Sequence, residues 1–293
     1  MNQHATQLVK KVKGKVGMEE NISELMSQYA FNLMSHFAFS KTFINSPEDL
    51  SHQRFFIAVI HVGGALVGFL HLVPWMFRLL RAIPLNPNMA RFDAYGEQLV
   101  RERRAMKPEN PDVFSWMLEK FEEAPVKTKA MEDELVADAM TISLAGTETT
   151  AAALTACFWY LACHPEAVIR LREELEACHF DVSSPDHAKL AQLPFLRAVI
   201  DETLRMSPPT PVTGIQRWTP RTGLRIGENI IPGGVDVFVP IYVAHHDERF
   251  FVHAEEWIPE RWLERKRKLT REGATWMPFN LVSTVDYARS ANH

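Results

Sequence analysis

Two short segments place acidic, hydroxyl and basic side chains where they can act together. In A-G-T-E-T-T at 145–150, Glu148 and Thr149 are adjacent. A carboxylate beside a hydroxyl on a helix can organise water and relay a proton. In E-T-L-R at 202–205, Glu202 and Arg205 are three residues apart, which puts them on one helical face at pairing distance. Further arginines follow at Arg217, in G-I-Q-R, and at Arg261, in P-E-R-W. Cys157, Cys163 and Cys178 form neither a disulfide framework nor a CxxC metal pair, so no metal site is read from them. His245 and His246 in A-H-H-D read as a surface loop rather than as a pair of metal ligands.

The elements that must carry these residues are mostly helices. Apolar positions recur at three- and four-residue spacing over 19–43 and 86–120, with Pro and Asn at the borders. From about Asp133 a helical pattern runs to Cys163, where His164-Pro165 stops it. Thr141, Ser143, Gly146, Thr147, Thr149 and Thr150 fall inside that helix. All are poorer helix formers than alanine, and the expectation is a local bulge through which another molecule approaches the backbone.

The next helix starts at Pro165 and ends near Cys178. Glu166, Arg170 and Glu174, and Arg172 with Glu176, are spaced for i,i+4 pairs on an exposed face. After a loop around 183–186 a third helix covers 193–206 and ends at Ser207-Pro208-Pro209. Leu224, Ile226, Ile230 and Ile231, then Val235, Val237 and Val239, predict a small, half-buried sheet.

Composition limits what such a body can do. The chain has 293 residues, 46% hydrophobic and 23% charged, with a formal charge of -4. That is enough to bury a large core, and it provides no basic field for nucleic acid. Lys10, Lys11, Lys13 and Lys15 read as a solvated helix face. The first thirty residues hold no apolar stretch long enough for a signal peptide or a span. Residues 55–77 are almost entirely apolar. They read as a bent helix pair in the core, with a membrane span or a dip into a bilayer surface as the alternatives.

The three motifs, in this order and at intervals of roughly fifty-five residues, resemble the cytochrome P450 haem-thiolate monooxygenases of the microsomal, fungal type. The resemblance implies a mainly α fold with a small β-sheet, covering 1–280, with 281–293 as a tail outside the family pattern. It implies haem as cofactor, with Ala145, Gly146 and Arg217 as cofactor-binding positions and Glu148 and Thr149 as the acid and alcohol of proton delivery. Arg217 matches an arginine that in relatives contacts a haem propionate. Glu202, Arg205 and Arg261 match the family's structural triad.

A hydrophobic small-molecule substrate, an NADPH-dependent reductase and residence at the cytosolic face of the endoplasmic reticulum belong to the same implication. Without the family's N-terminal anchor, the chain itself is expected to be cytosolic or peripheral.

One part of the pattern breaks off. After P-E-R the family continues through P-F-x-x-G-x-R-x-C-x-G, whose cysteine thiolate binds the iron. Here Pro278-Phe279 opens that segment, and Leu281 to His293 then carry no cysteine. The expectation is an incomplete P450 fold, short of its N-terminal helices, its cysteine loop and the helix after it, and so inactive as given. Val282-Ser283 can be encoded by a common intron start, which points to an unspliced reading. A non-catalytic helical remnant and a membrane-associated helical protein are the alternatives from other classes.

Overall fold

The computed structural model describes residues 2–41, 54–55, 57–58, 87–179, 186–211 and 217–279, with side chains in the third helix from residue 91. The apolar segment 55–77, apart from three of these positions, and the tail 281–293 lie outside the described residues, as does most of the loop before Asp186. The chain divides into two compact units, Met1–Thr155 and Ala156–His293, and the boundary falls inside one unbroken helix.

The first unit is helical. α1 (Asn2–Lys13) ends on Lys10, Lys11 and Lys13, cations placed where the helix dipole favours them. α2 (Ile22–Phe39) starts at Asn21, whose side-chain oxygen accepts from the backbone N–H groups of Ser23 and Glu24 at 3.1 and 3.2 Å. It stops at Ser40, which adopts the left-handed conformation with φ 52°.

The periodic stretch 86–120 forms two helices, α3 (Pro87–Ala105) and α4 (Val113–Glu122). Pro108 and Pro111 lie between them and cannot take part in a continuous ladder. Asp112 and Ser115 then restart the helix through a reciprocal capping box.

α5 (Lys129–Cys163) is a single helix of 35 residues. Phe31, Phe39, Tyr95, Leu99, Phe114, Leu135 and Met140 from α2 to α5 make the main core of this unit. A smaller cluster joins Leu25, Met26 and Ala30 to Ala151. Among the described residues no single helix is long and apolar enough to cross a membrane.

In the second unit α6 (Pro165–Ala177), the short α7 (His187–Leu190) and α8 (Pro194–Met206) follow. Both longer helices have proline in the first turn, where a missing N–H costs nothing. Tyr160, Phe195, Val199, Met206 and Trp257 form the core. The Tyr160 and Trp257 rings lie parallel, 5.6 Å apart.

Residues of α6 that were spaced for pairing along their own helix turn to other elements instead. Arg170 binds Glu260 at 2.9 Å and Glu264 at 3.4 Å. Glu174 accepts from the backbone N–H groups of Phe195 and Leu196, both at 2.8 Å. Those are orphan donors at a helix start, where a carboxylate also meets a favourable dipole.

The strands form two separate ribbons rather than one small sheet. β1 (Arg217–Trp218) pairs antiparallel with β4 (Asp236–Val237), and β2 (Leu224–Ile226) with β3 (Asn229–Ile231) around Gly227, φ 60°. Val235, Phe238 and Val239 are exposed rather than half-buried. α9 (Ile241–His245), a 3-10 turn at Pro259–Trp262 and α10 (Lys266–Leu269) complete the described order.

Candidate functional site

The chemistry-bearing residues of the first unit lie on α5. Its ladder continues through the glycine and the threonines with no bulge. The hydroxyls explain how: Thr141, Ser143 and Thr149 each donate to the carbonyl four residues back, at 2.8, 2.9 and 2.6 Å. These three hydroxyls therefore bond back along the helix instead of opening it. Glu148 and Thr149 are half-buried and Ala145 is exposed. Because the Thr149 hydroxyl gives its proton to the Ala145 carbonyl, its lone pairs remain to accept.

The space beside Gly146 belongs to α2. A Cβ built there would lie 2.3 Å from Met34 Cε and 2.5 Å from its sulfur. Thr147, next along, is 1% exposed and its hydroxyl has no hydrogen-bond partner.

In the second unit Glu202, Arg205 and Arg261 meet with no exposed surface on any of them. The Glu202 carboxylate accepts five hydrogen bonds: Arg205 Nε and Nη2 at 2.9 Å each, Arg261 Nε at 3.1 Å, the Ile258 N–H at 3.0 Å and Trp262 Nε1 at 2.9 Å. Two guanidiniums against one carboxylate leave a positive excess. It is spread over carbonyl oxygens: His245, Ala254 and Glu256 for Arg205, and Val252, His253 and Leu269 for Arg261. Phe251 lies beneath both cations, with its ring centroid 5.4 Å from Arg205 and 5.9 Å from Arg261. Three backbone stretches thus converge on one charge cluster, a network in which every polar group is paired.

Several members of this network have no local sequence signal. His245, read from the sequence as surface loop, has 0% exposure. Its ring lies between the Arg205 carbonyl, 3.2 Å from Nδ1, and the Met277 N–H, 3.0 Å from Nε2. Burial, reinforced by the charges of Arg205 and His246 and opposed by the backbone bond and Glu202, pulls it down to about 4. His246 instead stacks on Tyr242. Trp276 Nε1 donates to the Asp201 carbonyl at 3.1 Å, and its ring meets Trp262 edge-on.

The first unit holds a second buried pair, which no motif in the sequence marks. Arg103 grips Asp112 at both oxygens, 2.8 Å each, and Ser40 donates to the same carboxylate at 2.7 Å. Burial pushes the Asp112 carboxyl up, but these bonds outweigh it and hold it below its usual value. Arg217 is an exposed residue of β1.

Comparison with known proteins agrees with motifs and fold. The Cytochrome P450 family model matches residues 1–280. The chain is 37% identical over 279 residues to the cytochrome P450 monooxygenase FCK2 of Fusarium pseudograminearum, covering 95% of this chain and 50% of that one. It is 33% identical to the tryprostatin B 6-hydroxylase of Aspergillus fumigatus, covering 89% and 46%. Among solved structures, a zebra fish cytochrome P450 with abiraterone superposes with a TM-score of 0.75 at 20% identity, over 97% of this chain and 63% of that one.

The chain belongs to the cytochrome P450 family, the haem-dependent monooxygenases, and its fold is an incomplete version of theirs. It spans about half the length of the curated relatives it matches.

The thiols present do not fit the thiolate that a haem iron would need. Burial pushes the Cys157 thiol up, against a smaller opposing pull from a hydrogen bond with Thr203. That is the reverse of what a metal-binding sulfur needs. The Cys178 thiol lies 3.1 Å from the Leu175 carbonyl, to which it donates, and Cys163 is exposed near the end of α5. Among the described residues no group of three or more potential metal ligands forms.

Proposed function

We propose that this chain is part of a fungal-type monooxygenase that inserts one oxygen atom from dioxygen into a hydrophobic small molecule, and that the 293-residue polypeptide alone forms no thiolate-ligated haem. The observation that carries the first half is the fully buried Glu202–Arg205–Arg261 cluster, built from two motifs that follow A-G-T-E-T-T in the family's order. The donor set carries the second: the Cys157 thiol is pushed up by burial, the Cys178 thiol is engaged with the Leu175 carbonyl, and Cys163 is exposed near the end of α5.

In this reading Glu148 and Thr149 hold water and pass a proton at Thr149 Oγ, whose lone pairs stay able to accept while its proton is given to the Ala145 carbonyl. Arg217 offers its guanidinium to a carboxylate. Glu202, Arg205 and Arg261 are architectural: they fix the backbone of 245–269 against α8. An NADPH-dependent reductase supplies electrons, and the cytosolic face of the endoplasmic reticulum is the site of action. A relative named for hydroxylating tryprostatin B is in keeping with a hydrophobic substrate.

The test is complementation. The Fusarium relative's sequence after the position matching Phe279 is joined to this chain, and the product is assayed for a thiolate-type Soret band and for oxygen insertion with a reductase. A band that appears only in the joined protein supports the reading. No band in either would sink it.

A further inference from the structure

The ring of His245 touches two backbone groups that belong to different stretches of the second unit. Its Nδ1 faces the carbonyl of Arg205, at the C-terminal end of α8, and its Nε2 faces the N–H of Met277. An amide N–H only donates and a carbonyl oxygen only accepts, so the contacts fix the tautomer: Nδ1 carries the proton and Nε2 is the acceptor.

Both groups at the far ends are themselves held. Arg205 is locked by Glu202 and by three carbonyls, one of them that of His245. Met277 follows Trp276, whose indole is bonded to Asp201. His245 therefore closes a ring of contacts between the charge cluster and the stretch 276–279. That stretch opens the segment in which the family pattern places its cysteine.

We propose that His245, as the Nδ1–H tautomer, is a positioning residue that ties the C-terminal end of α8 to Met277 and so sets the course on which the chain leaves the charge cluster after Phe279. The neutral ring is the working form, because an imidazolium has no acceptor to offer Met277. Its surroundings favour neutrality: burial first, then Arg205 against it and His246 beside it, with the bond to the Arg205 carbonyl and the Glu202 charge opposing. The ring's edge-on contact with Phe251, centroids 6.3 Å apart, would by contrast survive with any flat apolar ring. The rival explanation, a buried spacer, predicts that the nitrogens do not matter.

The bridge itself stands on geometry alone, whereas its consequence for the cysteine segment rests on the proposed monooxygenase reading. Three measurements separate them. In the wild-type chain with 15N-labelled histidine, two-bond ring correlations report the tautomer, and Nδ1–H is expected. Nε2–H would overturn the bridge without any variant having to fold.

Second, amide exchange at Met277 is compared in His245→Gln and His245→Asn. The Gln side chain carries its oxygen to about the place of Nε2, while Asn reaches only the place of Nδ1. Exchange at Met277 should be roughly tenfold faster in the Asn variant, with the amides of α8 equally protected in both. Equal rates at Met277 would make His245 a spacer.

Third, in the chain joined to a relative's cysteine segment, the thiolate-type Soret band should be retained in His245→Gln and weakened in His245→Asn. Equal bands in both variants would remove the functional consequence. No band in the joined wild type would sink the monooxygenase reading and leave the tautomer result standing.

Discussion

Met34 occupies the place that a side chain on Gly146 would need. Three of its atoms, Cε, Sδ and Cγ, lie 2.3, 2.5 and 2.8 Å from where a Cβ would be. The glycine of A-G-T-E-T-T thus serves close packing of α2 on α5, not an opening in the helix. Gly146→Ala gains about 1 kcal/mol of helix propensity and meets overpacking of roughly 1–3 kcal/mol. The expected net effect is a small destabilisation. In a Met34→Ala background the same change should become stabilising by about 1 kcal/mol, which a double-mutant cycle by denaturant unfolding reads directly.

Thr147 and Thr149 differ by one hydrogen bond. The Thr147 hydroxyl is buried without a partner, so Thr147→Val should be neutral or stabilise by about 1 kcal/mol. Thr149→Val loses the bond to Ala145 and should change stability by less than about 1 kcal/mol while altering any proton relay. Thermal unfolding of the two variants side by side checks the contrast. A Thr147→Val protein less stable than Thr149→Val would contradict it.

Glu202 is where charge burial is most exposed to mutation. Glu202→Gln strands two buried guanidiniums and should cost about 3–5 kcal/mol. Asp201, its neighbour, pairs with Arg197 at a side chain that is 61% exposed, and Arg197→Ala should stay within about 0.5 kcal/mol of wild type. Unfolding of the second unit, followed by near-ultraviolet circular dichroism, distinguishes the two.

Acidification should weaken the second unit through His245. Its folded value is held at about 4 against 6.5 unfolded. Between those values the unfolded chain binds a proton that the folded one refuses. Stability from this group is complete above about pH 6.5 and declines as pH falls toward 4, by on the order of 2–3 kcal/mol in all. The pH slope of unfolding free energy over that window should flatten in His245→Gln. An unchanged slope would show that other groups carry it.

How far the sequence led depended on whether a residue's partner was local. The ends of α5 and α6 were readable because Pro165 stops one helix and starts the other. Glu202, Arg205 and Arg261 were readable as motif members. Trp262, Ile258 and the six carbonyls were not, because they reach the cluster only through the tertiary course of 245–269. Glu174 shows the same limit from the other side. Its i,i+4 spacing promised a surface pair, whereas 21 and 22 residues on, two orphan N–H groups bind it more usefully. The alternation at 235–239 spans too few residues to tell an exposed ribbon from a half-buried strand. His245 looked like loop because burial of an imidazole has no pattern of its own.

The proposed reading joins the family's ion-pair core and its A-G-T-E-T-T helix to a chain whose three thiols do not fit a haem-iron thiolate. The most direct measurement is the absorbance of the 293-residue chain after haem addition, reduction and carbon monoxide treatment. No thiolate-type Soret band is expected, in the wild type or with any single cysteine changed to serine. A thiolate-type band that disappears in Cys157→Ser, Cys163→Ser or Cys178→Ser would contradict it and name the ligand.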